Sequence, residues 1–450
     1  MSRSYSALLG LVLLIGLTAC GKDENNADNS TSPYNNNPPN NQMANNQMEN
    51  QAPNNTTENS GQNNQTPNTS TETPLAFEFV EIDLGDPVEA LTEIRFIPGT
   101  DSDFLLARKN GEVLHYTLEG DKATRKGSFT IDGVVERSDC GLIGMEFDPD
   151  FLENKFVYFG YCRGLGQNRI SRHQLDTSDL SSFDTAGATI IDVDTPDAEA
   201  HWHNVGSIAF DQDGVMWALF GENANMAAAQ DNTLNAGALV RIIPNRDVDG
   251  DGYTIPEGNP FVGDEDASDA IYAYGLRSPW RGTIDQRGHF WVGDVGAATI
   301  EEVNIVTEAG QNFGWPSSEG PCTEDCDGQT DPLINWNREP DHPFVLDDED
   351  VAATDRRAVW VGLAYKGGED DKYEGKLSDK VLYGDFCGGW VRAASTDDAG
   401  KLTWDGHLGH LEGVVSWAQA PDGHAYVATY GNCKTFPYAP GNIYRAVLAK

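Results

Sequence analysis

Positive charge is scarce in this 450-residue chain, which has 30 lysine and arginine residues against 71 aspartate and glutamate residues. The formal net charge at pH 7 is −41. Because such a surface repels phosphate groups, the composition argues against nucleic acid or an anionic membrane surface as a partner. The charge fits solubility in an exported setting and carries no information about the fold.

A hydrophobic run long enough to cross a membrane is lacking at the N-terminus. The apolar run at residues 7–19 falls short of the about 20 residues that span a bilayer as a helix. It follows Arg3 and precedes small residues, which is typical of a secretory signal peptide over residues 1–19. The sequence LTAC before Gly21 resembles a bacterial lipobox, which implies cleavage before Cys20 and lipidation of its thiol. An ordinary signal peptide with an incidental cysteine is the alternative.

By analogy with lipoproteins, Gly21 favours the outer membrane, with the folded domain in the periplasm or at the cell surface. The lipid would then be the only membrane attachment, and it anchors the chain without spanning the bilayer. Residues 20–75 have few apolar side chains and are dominated by Asn, Gln, Ser, Thr and Pro. Such a segment cannot offset the entropy of ordering, so we predict a disordered tether there and a folded domain over residues 76–450.

Cysteine is also sparse, with seven residues in the whole chain. If Cys20 is lipidated, six remain, and an even number in an oxidising compartment indicates disulfides, although six cysteines allow 15 pairings. A metal site built on the CxxxC pair lacks a second cysteine–histidine cluster nearby. We predict three disulfides: Cys140–Cys162, Cys322–Cys326 and Cys387–Cys433.

Helices are not indicated, because no amphipathic stretch of ten or more residues occurs in the domain. Instead, one plan repeats: a short apolar strand, a turn rich in Asp and Gly, and a strand of alternating large apolar residues. The clearest copies are residues 145–161, 208–222, 282–296 and 418–431, and looser copies are residues 105–118 and 363–395. Six such units predict an all-β, six-bladed β-propeller, with a β-sandwich as the alternative.

The ends of the domain should close this ring. Residues 75–85 alternate as a strand, and we predict that they complete the last blade beside residues 441–449. In a propeller the loops at one rim form the binding site. We therefore expect the two longest insertions, residues 223–270 and 317–359, on the functional face.

Several motifs occur in order along the domain: HNVGSIAFDQDG, EGNPF, YGLRSPWRGTIDQRG, GDVGAATIEEVN, QNFGWPSSEG and YGDFCGGW. Together they resemble the soluble sugar dehydrogenases that depend on pyrroloquinoline quinone (PQQ), the glucose/sorbosone dehydrogenase family. The resemblance covers about residues 76–449 and implies a six-bladed propeller, which agrees with the repeat count. It also implies oxidation of a small sugar or aldehyde.

The resemblance implies a catalytic group at the mouth of the channel. His203 matches the histidine that takes a proton from a sugar hydroxyl while hydride passes to the quinone. Glu222, nineteen residues later, matches the carboxylate that orients this imidazole, although the usual residue is Asp. Arg277 matches the arginine that contacts the reduced cofactor. The residues alone, without the resemblance, favour a polar loop histidine bonded to a backbone carbonyl at position 203.

Other matched positions concern the cofactor and its calcium ion. Ser278 stands where the family has an asparagine, and Val295 stands where it has a glutamine. Gly296 and Ala297 match the two residues whose backbone carbonyls bind calcium, and carbonyl ligation depends little on the side chain.

The chain departs from the family at the cations that hold the PQQ carboxylates. Cys387 stands at the position of a lysine, and Gly413 and Val415 stand at the positions of an Arg-x-Arg pair. Because each charge-assisted hydrogen bond contributes roughly 1.5–3 kcal/mol, the loss of three cations weakens the expectation of PQQ. Arg392 or Arg281 are candidates to replace them from another strand.

Two further patterns suggest metal ligands. The sequence DVDGDG places Asp247, Asp249 and Asp251 before Gly252, like the first half of a calcium loop, although a solvated acidic turn is the alternative. His201 and His203 form an HxH pair that can bind a metal, but no third ligand is evident.

Two main functional hypotheses follow. The first is an exported, PQQ-dependent dehydrogenase that uses His203, Glu222 and Arg277. The second is a non-catalytic surface propeller that has lost PQQ and binds a glycan or a protein, since fold alone does not determine function. A metal-dependent sugar lactonase is a third possibility, but its acidic metal cage is not identifiable in the sequence.

Overall fold

The computed structural model describes residues 75–248, 250–338, 357–431 and 440–450. Within these residues the chain forms six antiparallel sheets arranged as a β-propeller, which confirms the predicted fold class. In the described part of the chain, helix is confined to α1 (Phe151–Asn154) and two 3-10 turns (Leu180–Ser182 and Met226–Gln230). None of the described helices has the length and hydrophobicity to cross a membrane. The predicted signal peptide, Cys20 and the tether lie outside the described residues.

The strands follow one another in the order expected of successive blades. The first strand, β1 (Phe77–Ile82), belongs to the last blade. Blade 1 consists of β2 (Leu91–Phe96), β3 (Asp103–Arg108), β4 (Glu112–Glu119) and β5 (Lys122–Thr130). Blade 2 consists of β6 (Leu142–Phe147), β7 (Phe156–Gly164), β8 (Gln167–Gln174) and β9 (Ala188–Asp194). Blade 3 consists of β10 (Val205–Phe210), β11 (Met216–Phe220) and β12 (Ala238–Pro244), with β13 (Tyr253–Thr254) and β14 (Ile271–Tyr274) sharing the outer edge.

The remaining blades follow the same plan. Blade 4 consists of β15 (Pro279–Ile284), β16 (Phe290–Asp294), β17 (Ile300–Val306) and β18 (Ile334–Asn337). Blade 5 consists of β19 (Val359–Ala364), β20 (Val381–Asp385), β21 (Trp390–Thr396) and β22 (Leu402–His410). Blade 6 consists of β23 (Val414–Gln419), β24 (Ala425–Thr429) and β25 (Ile443–Leu448), and β1 completes it. The first strands of neighbouring blades contact one another around the central axis.

An aspartate organises the repeated turn between the first two strands of a blade. In blade 3, one carboxylate oxygen of Asp211 accepts the backbone N–H of Val215, and the other accepts the indole N–H of Trp217 at 2.9 Å. In blade 4, Asp285 makes the same pair of contacts with His289 and Trp291. The Asp-rich turn in the sequence repeat is therefore both a turn cap and an anchor for a core aromatic residue.

The ring is closed as the sequence predicts. β1 pairs antiparallel with β25, from Phe77 opposite Leu448 to Ile82 opposite Ile443. This pairing joins the two ends of the domain in a single sheet and leaves neither β1 nor β25 as an isolated strand. Phe77 is buried in the core between blades 5 and 6, where its ring lies 5.5 Å from that of Tyr373.

The central channel is blocked by a tryptophan and a cluster of charges. Trp280, at a bulge in β15, packs against the hydrophobic clusters of blades 2 and 3, blades 1 and 6, and blades 5 and 6. Beside it, Arg281 donates to Glu93 at 3.0 Å, and Glu93 also accepts from Arg95. On one side of the ring, the turns between the first and second strands of the blades line a cavity of about 990 Å³. Asp148 lies in the wall of this cavity.

Two of the three predicted disulfides are present. The Cα atoms of Cys140 and Cys162 are 5.2 Å apart, and those of Cys322 and Cys326 are 5.7 Å apart, both within the usual range for a disulfide. The third predicted pair includes Cys433, which lies outside the described residues.

The packing of β1 in the last blade predicts that its buried and exposed side chains contribute unequally to stability. Replacing Phe77 with Ala removes a buried ring from the core between blades 5 and 6, so the free energy of unfolding should fall by about 3–5 kcal/mol. Glu78, the next residue, is exposed, and Glu78→Ala should change the free energy of unfolding by less than about 0.5 kcal/mol. Urea denaturation followed by tryptophan fluorescence measures both, and equal midpoints for the two variants would contradict the assigned packing.

Candidate active site

His203 and Glu222 form a hydrogen-bonded pair at one rim of the channel. His203 lies just before β10 and Glu222 just after β11, so the hairpin brings both to the same rim. The Nδ1 atom of His203 lies 2.7 Å from Oε1 of Glu222. The Glu222 side chain is 1% exposed, whereas that of His203 is 12% exposed. Because the carboxylate accepts the Nδ1 proton, the Nε2 lone pair is left as the basic site.

The backbone around His203 is unusual for a non-glycine residue. Its φ angle is +56°, in the left-handed region that residues with a Cβ atom adopt at a cost. The carbonyl of His203 accepts the backbone N–H of Asn223 at 3.0 Å, which holds this conformation. A Cβ atom at Gly221 would collide with the same carbonyl, so only glycine permits this close approach.

Arg277 lies next to this pair. Its backbone carbonyl accepts the N–H of Glu222 at 3.0 Å. Its Nη1 atom donates to the carbonyls of Val295 at 2.8 Å and Gly296 at 2.7 Å. Its guanidinium carbon lies 5.4 Å from the ring centre of Trp315, which is within range for a cation–π contact.

Asp294 links Arg277 to the start of β15. Its two carboxylate oxygens accept the backbone N–H groups of Arg277 at 2.9 Å and Ser278 at 2.7 Å. Burial raises the pKa of Asp294 to about 6, although these N–H donors and the nearby Arg277 and His203 act to lower it. Ser278 therefore contributes its backbone N–H group to the site.

The loop after β16 is held from both sides. One carboxylate oxygen of Glu319 accepts four successive backbone N–H groups, those of residues 297–300, at 2.8–3.1 Å. Burial acts to raise the pKa of Glu319, but these donors lower it below its ordinary value. On the other side, Arg338 donates to the carbonyls of Ala297 at 3.0 Å and Gly296 at 2.9 Å. The loop is thus fixed, and the carbonyls predicted to bind calcium accept hydrogen bonds from guanidinium groups.

Two buried glutamates of the EEVN motif connect this loop to its surroundings. Glu301 accepts from Arg338 at 2.6 Å and from the backbone N–H groups of Ala358 and Val359 in blade 5. Burial raises the pKa of Glu301 to about 7 against the effect of Arg338. Glu302 accepts from Asn304 at 3.2 Å, and burial together with the charge of Asp294 raises the pKa of Glu302 to about 8.

The structure places no cation at the three positions where the family has them. Cys387 and Val415 are both buried, and Gly413 has no side chain. The two arginines suggested as replacements do not supply the missing positive charge either. Arg281 is buried in the channel and paired with Glu93, and Arg392 is paired with Asp405 at 2.8 Å within blade 5. That part of the sequence interpretation is wrong, because both guanidinium groups are used to neutralise buried acids.

The predicted calcium loop lies on the opposite side of the ring, which corrects the expectation that residues 223–270 lie wholly on the functional face. Arg246 in this loop donates to the carbonyl of Gly214 in the first turn of blade 3, at 3.0 Å. Arg172 donates to the carbonyls of Asp247 and Val248, and Asp251 accepts the N–H of Thr189 at 2.7 Å. A guanidinium group therefore occupies the space where the loop carbonyls converge, which does not favour a divalent cation. Asp249 lies outside the described residues.

His201 is directed away from the pair formed by His203 and Glu222. Its ring lies beside Cys140 and Cys162, with the three ligand atoms within 4.8 Å of one another. The two sulfur atoms are joined in a disulfide, so they are not available as thiolate ligands. This arrangement gives no support to an HxH metal site.

The resemblance implies two bound groups, calcium and PQQ, and the residues at the rim do not fit both equally. Calcium requires six to eight oxygen ligands, but the carbonyls of Gly296 and Ala297 already face the positive charges of Arg277 and Arg338. The site therefore does not fit calcium. An anionic ligand with carboxylates fits better, because the guanidinium group of Arg277 lies 5.4 Å from the Trp315 ring and its Nε atom has no acceptor within the described residues.

Three important residues were not identified from the sequence. Trp315 lies within the quoted motif QNFGWP, and its backbone contacts Gly275 and Gln230. Trp280 lies within the quoted motif YGLRSPW. Both tryptophans were therefore part of motifs from which they could have been identified. Arg338 follows β18, in an insertion with no recognisable motif, and only the pairing of β17 with β18 brings it to the site.

A comparison with protein families matches the glucose/sorbosone dehydrogenase family over residues 88–343, which is more than half of the chain. The HIPL2 protein of Arabidopsis thaliana is 30% identical over 214 residues, which cover 44% of this chain and 27% of the plant protein. The aldose sugar dehydrogenase YliI of Escherichia coli is 26% identical over 244 residues, which cover 52% of this chain and 60% of the enzyme. The chain thus aligns with less than two thirds of either relative.

Solved structures with the same fold include two aldose sugar dehydrogenases. The PQQ-bound enzyme of Streptomyces coelicolor has a TM-score of 0.62 and 18% identity, and the match covers 84% of this chain and 99% of that one. The apo-form of the soluble enzyme of Escherichia coli has a TM-score of 0.63 and 20% identity, with coverage of 83% and 100%. At these identities the likeness concerns the fold alone.

The raised pKa of Glu302 predicts a specific pH dependence of stability. A carboxyl group whose pKa is higher in the folded state stabilises the fold below its unfolded pKa of about 4.3, and this contribution is lost as the pH rises through about 8. The free energy of unfolding should therefore fall between pH 5 and pH 8.5. In Glu302→Gln the fall should be smaller by roughly 2 kcal/mol, because the variant has no proton to lose at this position.

Urea denaturation at a series of pH values measures this difference. Glu308→Gln is the matched control, because Glu308 is exposed on the loop that follows β17. If Glu302→Gln and Glu308→Gln have the same pH profile, Glu302 does not take up a proton on folding.

Proposed function

Because the chain belongs to the glucose/sorbosone dehydrogenase family, we propose that it is a PQQ-dependent oxidoreductase that oxidises an aldose or a related sugar aldehyde. The observation that carries this proposal is the 2.7 Å hydrogen bond between His203 and Glu222 at the channel mouth. It orients the imidazole so that its Nε2 atom is directed away from Glu222 and can accept a proton. Within the described residues, Nε2 has no hydrogen-bond partner.

His203 acts as the general base in the proposed reaction. The substrate hydroxyl donates its hydrogen bond to Nε2, and its proton moves to this atom as the C–H bond on the same carbon breaks. When bound, PQQ supplies the acceptor for the hydride that leaves this carbon. The resulting imidazolium is stabilised by Glu222, whose buried carboxylate holds the ring in one tautomer before the proton arrives.

Arg277 has the complementary role of an electrophile. Its guanidinium group lies beside Trp315, and its charge would stabilise negative charge that develops on a substrate oxygen. Arg277 is also the residue that would hold a carboxylate of PQQ, and Arg338 would position the loop beside it. Trp280, three residues after Arg277, packs against the hydrophobic clusters of several blades near the axis of the ring.

A non-catalytic surface propeller is the second candidate. It is favoured by one specific observation: Cys387, Gly413 and Val415 provide no cation where the family binds the cofactor. In this case the same rim would bind a glycan or a protein without a redox cofactor. The two candidates differ in whether the purified protein oxidises sugars when PQQ is supplied.

Dye-linked oxidation of a sugar panel by the PQQ-reconstituted protein tests the choice. We expect His203→Gln to lower kcat by about 10²–10⁴-fold, because no base remains at the mouth. Glu222→Gln should also lower kcat, because it removes the charge that stabilises the imidazolium. His424→Ala is the control, since His424 forms a similar pair with Asp422 in the first turn of blade 6, away from His203. Absence of turnover in the wild-type protein would instead favour the non-catalytic propeller.

We propose further that Cys20 is lipidated and anchors the domain to the outer membrane, in the periplasm or at the cell surface. The support is the lipobox-like sequence LTAC before Gly21. In a bacterial host, wild-type protein should incorporate radiolabelled palmitate, and Cys20→Ser should not. Equal labelling of the two proteins would rule out Cys20 as the modified residue.

A further inference from the structure

Arg338 stands at the carbonyl oxygens where the family resemblance puts a divalent cation. Its Nη1 and Nη2 atoms donate to Ala297 and Gly296 at 3.0 and 2.9 Å. These are the two carbonyls that the resemblance assigns to calcium. A guanidinium group bonded to both oxygens carries positive charge to the same place, but it is held by the chain itself.

The position of Arg338 is built into the fold. Its Nε atom donates to Glu301 at 2.6 Å, and the Glu301 side chain is fully buried. Glu301 in turn accepts backbone N–H groups from blade 5. On the far side of the loop, Glu319 binds four backbone N–H groups. The loop therefore cannot easily turn its carbonyls away from Arg338 to admit an ion.

Arg277 completes the arrangement and retains hydrogen-bonding capacity. A guanidinium group has five N–H donors, and Arg277 uses only Nη1, on the carbonyls of Val295 and Gly296. Its Nε atom is buried and has no acceptor within the described residues, and the same is true of Nε1 of Trp315, whose ring lies 5.4 Å from the guanidinium carbon. Unpaired buried donors of this kind are costly unless a ligand accepts from them.

We propose that Arg338 replaces the divalent cation, so that this rim binds a planar polycarboxylate without calcium. Arg338 is the fixed counter-ion that positions the loop, and Arg277 is the group that contacts the ligand. The inference deepens the proposed function, because it assigns the residues that bind a carboxylate-bearing cofactor such as PQQ. The test of this inference measures ligand binding and not turnover. The inference and the proposed dehydrogenase activity can therefore fail separately.

Isothermal titration of the whole mature protein provides the test, with PQQ and benzene-1,3,5-tricarboxylate as probes. Each probe is titrated once in EDTA and once in calcium chloride. For the wild-type protein we expect saturable binding of PQQ, with dissociation constants in the two buffers that agree within about twofold. Arg338→Gln should weaken binding by about 10- to 100-fold, because the loop loses its two charge-assisted hydrogen bonds and the site loses a positive charge.

Two further variants keep this result interpretable. Arg338→Gln leaves Glu301 buried without its partner, so the double variant Arg338→Gln/Glu301→Gln is measured beside it and should show the same loss. Arg169→Gln is the control, because it removes an equivalent arginine from a pair with Asp192 in blade 2. It should leave the affinity unchanged.

Three outcomes would overturn the inference. They are binding that requires calcium, binding that survives in both Arg338 variants, and no binding of either probe in either buffer. Calcium-independent binding that depends on Arg338, without oxidation of any sugar, would instead support the inference and reject the proposed dehydrogenase activity.

Discussion

Buried carboxylates organise the rim of the channel, and the geometry of the site depends on them. Glu222 orients the imidazole of His203, Asp294 holds the backbone at the start of β15, and Glu301 holds Arg338. Each of these side chains is almost completely buried, so each needs donors to offset the loss of hydration. For Glu222 the donor is the imidazole of His203, whereas Asp294 and Glu301 accept backbone N–H groups from neighbouring strands and loops, and Glu301 also accepts from Arg338.

The same requirement explains how the few cations are used. In a chain with a net charge of −41, arginines at buried positions are paired with acids or with converging carbonyls. Arg281 neutralises Glu93 in the channel, Arg338 pairs with Glu301, and Arg172 binds the carbonyls of the loop at residues 245–248. At two places where the sequence suggested calcium, the structure therefore has a guanidinium group. An internal cation of this kind needs no metal from the surroundings.

Much of the fold and part of the site were predictable. The turn repeat and the alternating strands determine a six-bladed propeller, and the strand at residues 75–85 was correctly assigned to the last blade. His203, Glu222 and Arg277 were identified from motifs, and the structure places them side by side. Arg338 was missed because it contacts the site only through the pairing of an outer strand. The suggested roles of Arg281 and Arg392 were wrong because their buried acidic partners could not be located from the sequence.

Local features could be read from the amino-acid sequence: strand periodicity, the aspartate-capped turns and the motifs that contain the histidine, glutamate and arginine. These depend on residues that are neighbours along the chain or across one hairpin. Which carboxylate faces which cation depends on the folded chain, because such pairs join residues as distant as Glu93 and Arg281. The net charge at a site is the sum over all groups that the fold brings within a few ångströms, and Coulomb energies change steeply over that range. Whether the rim suits a metal ion or an anionic ligand is therefore a property of the folded chain.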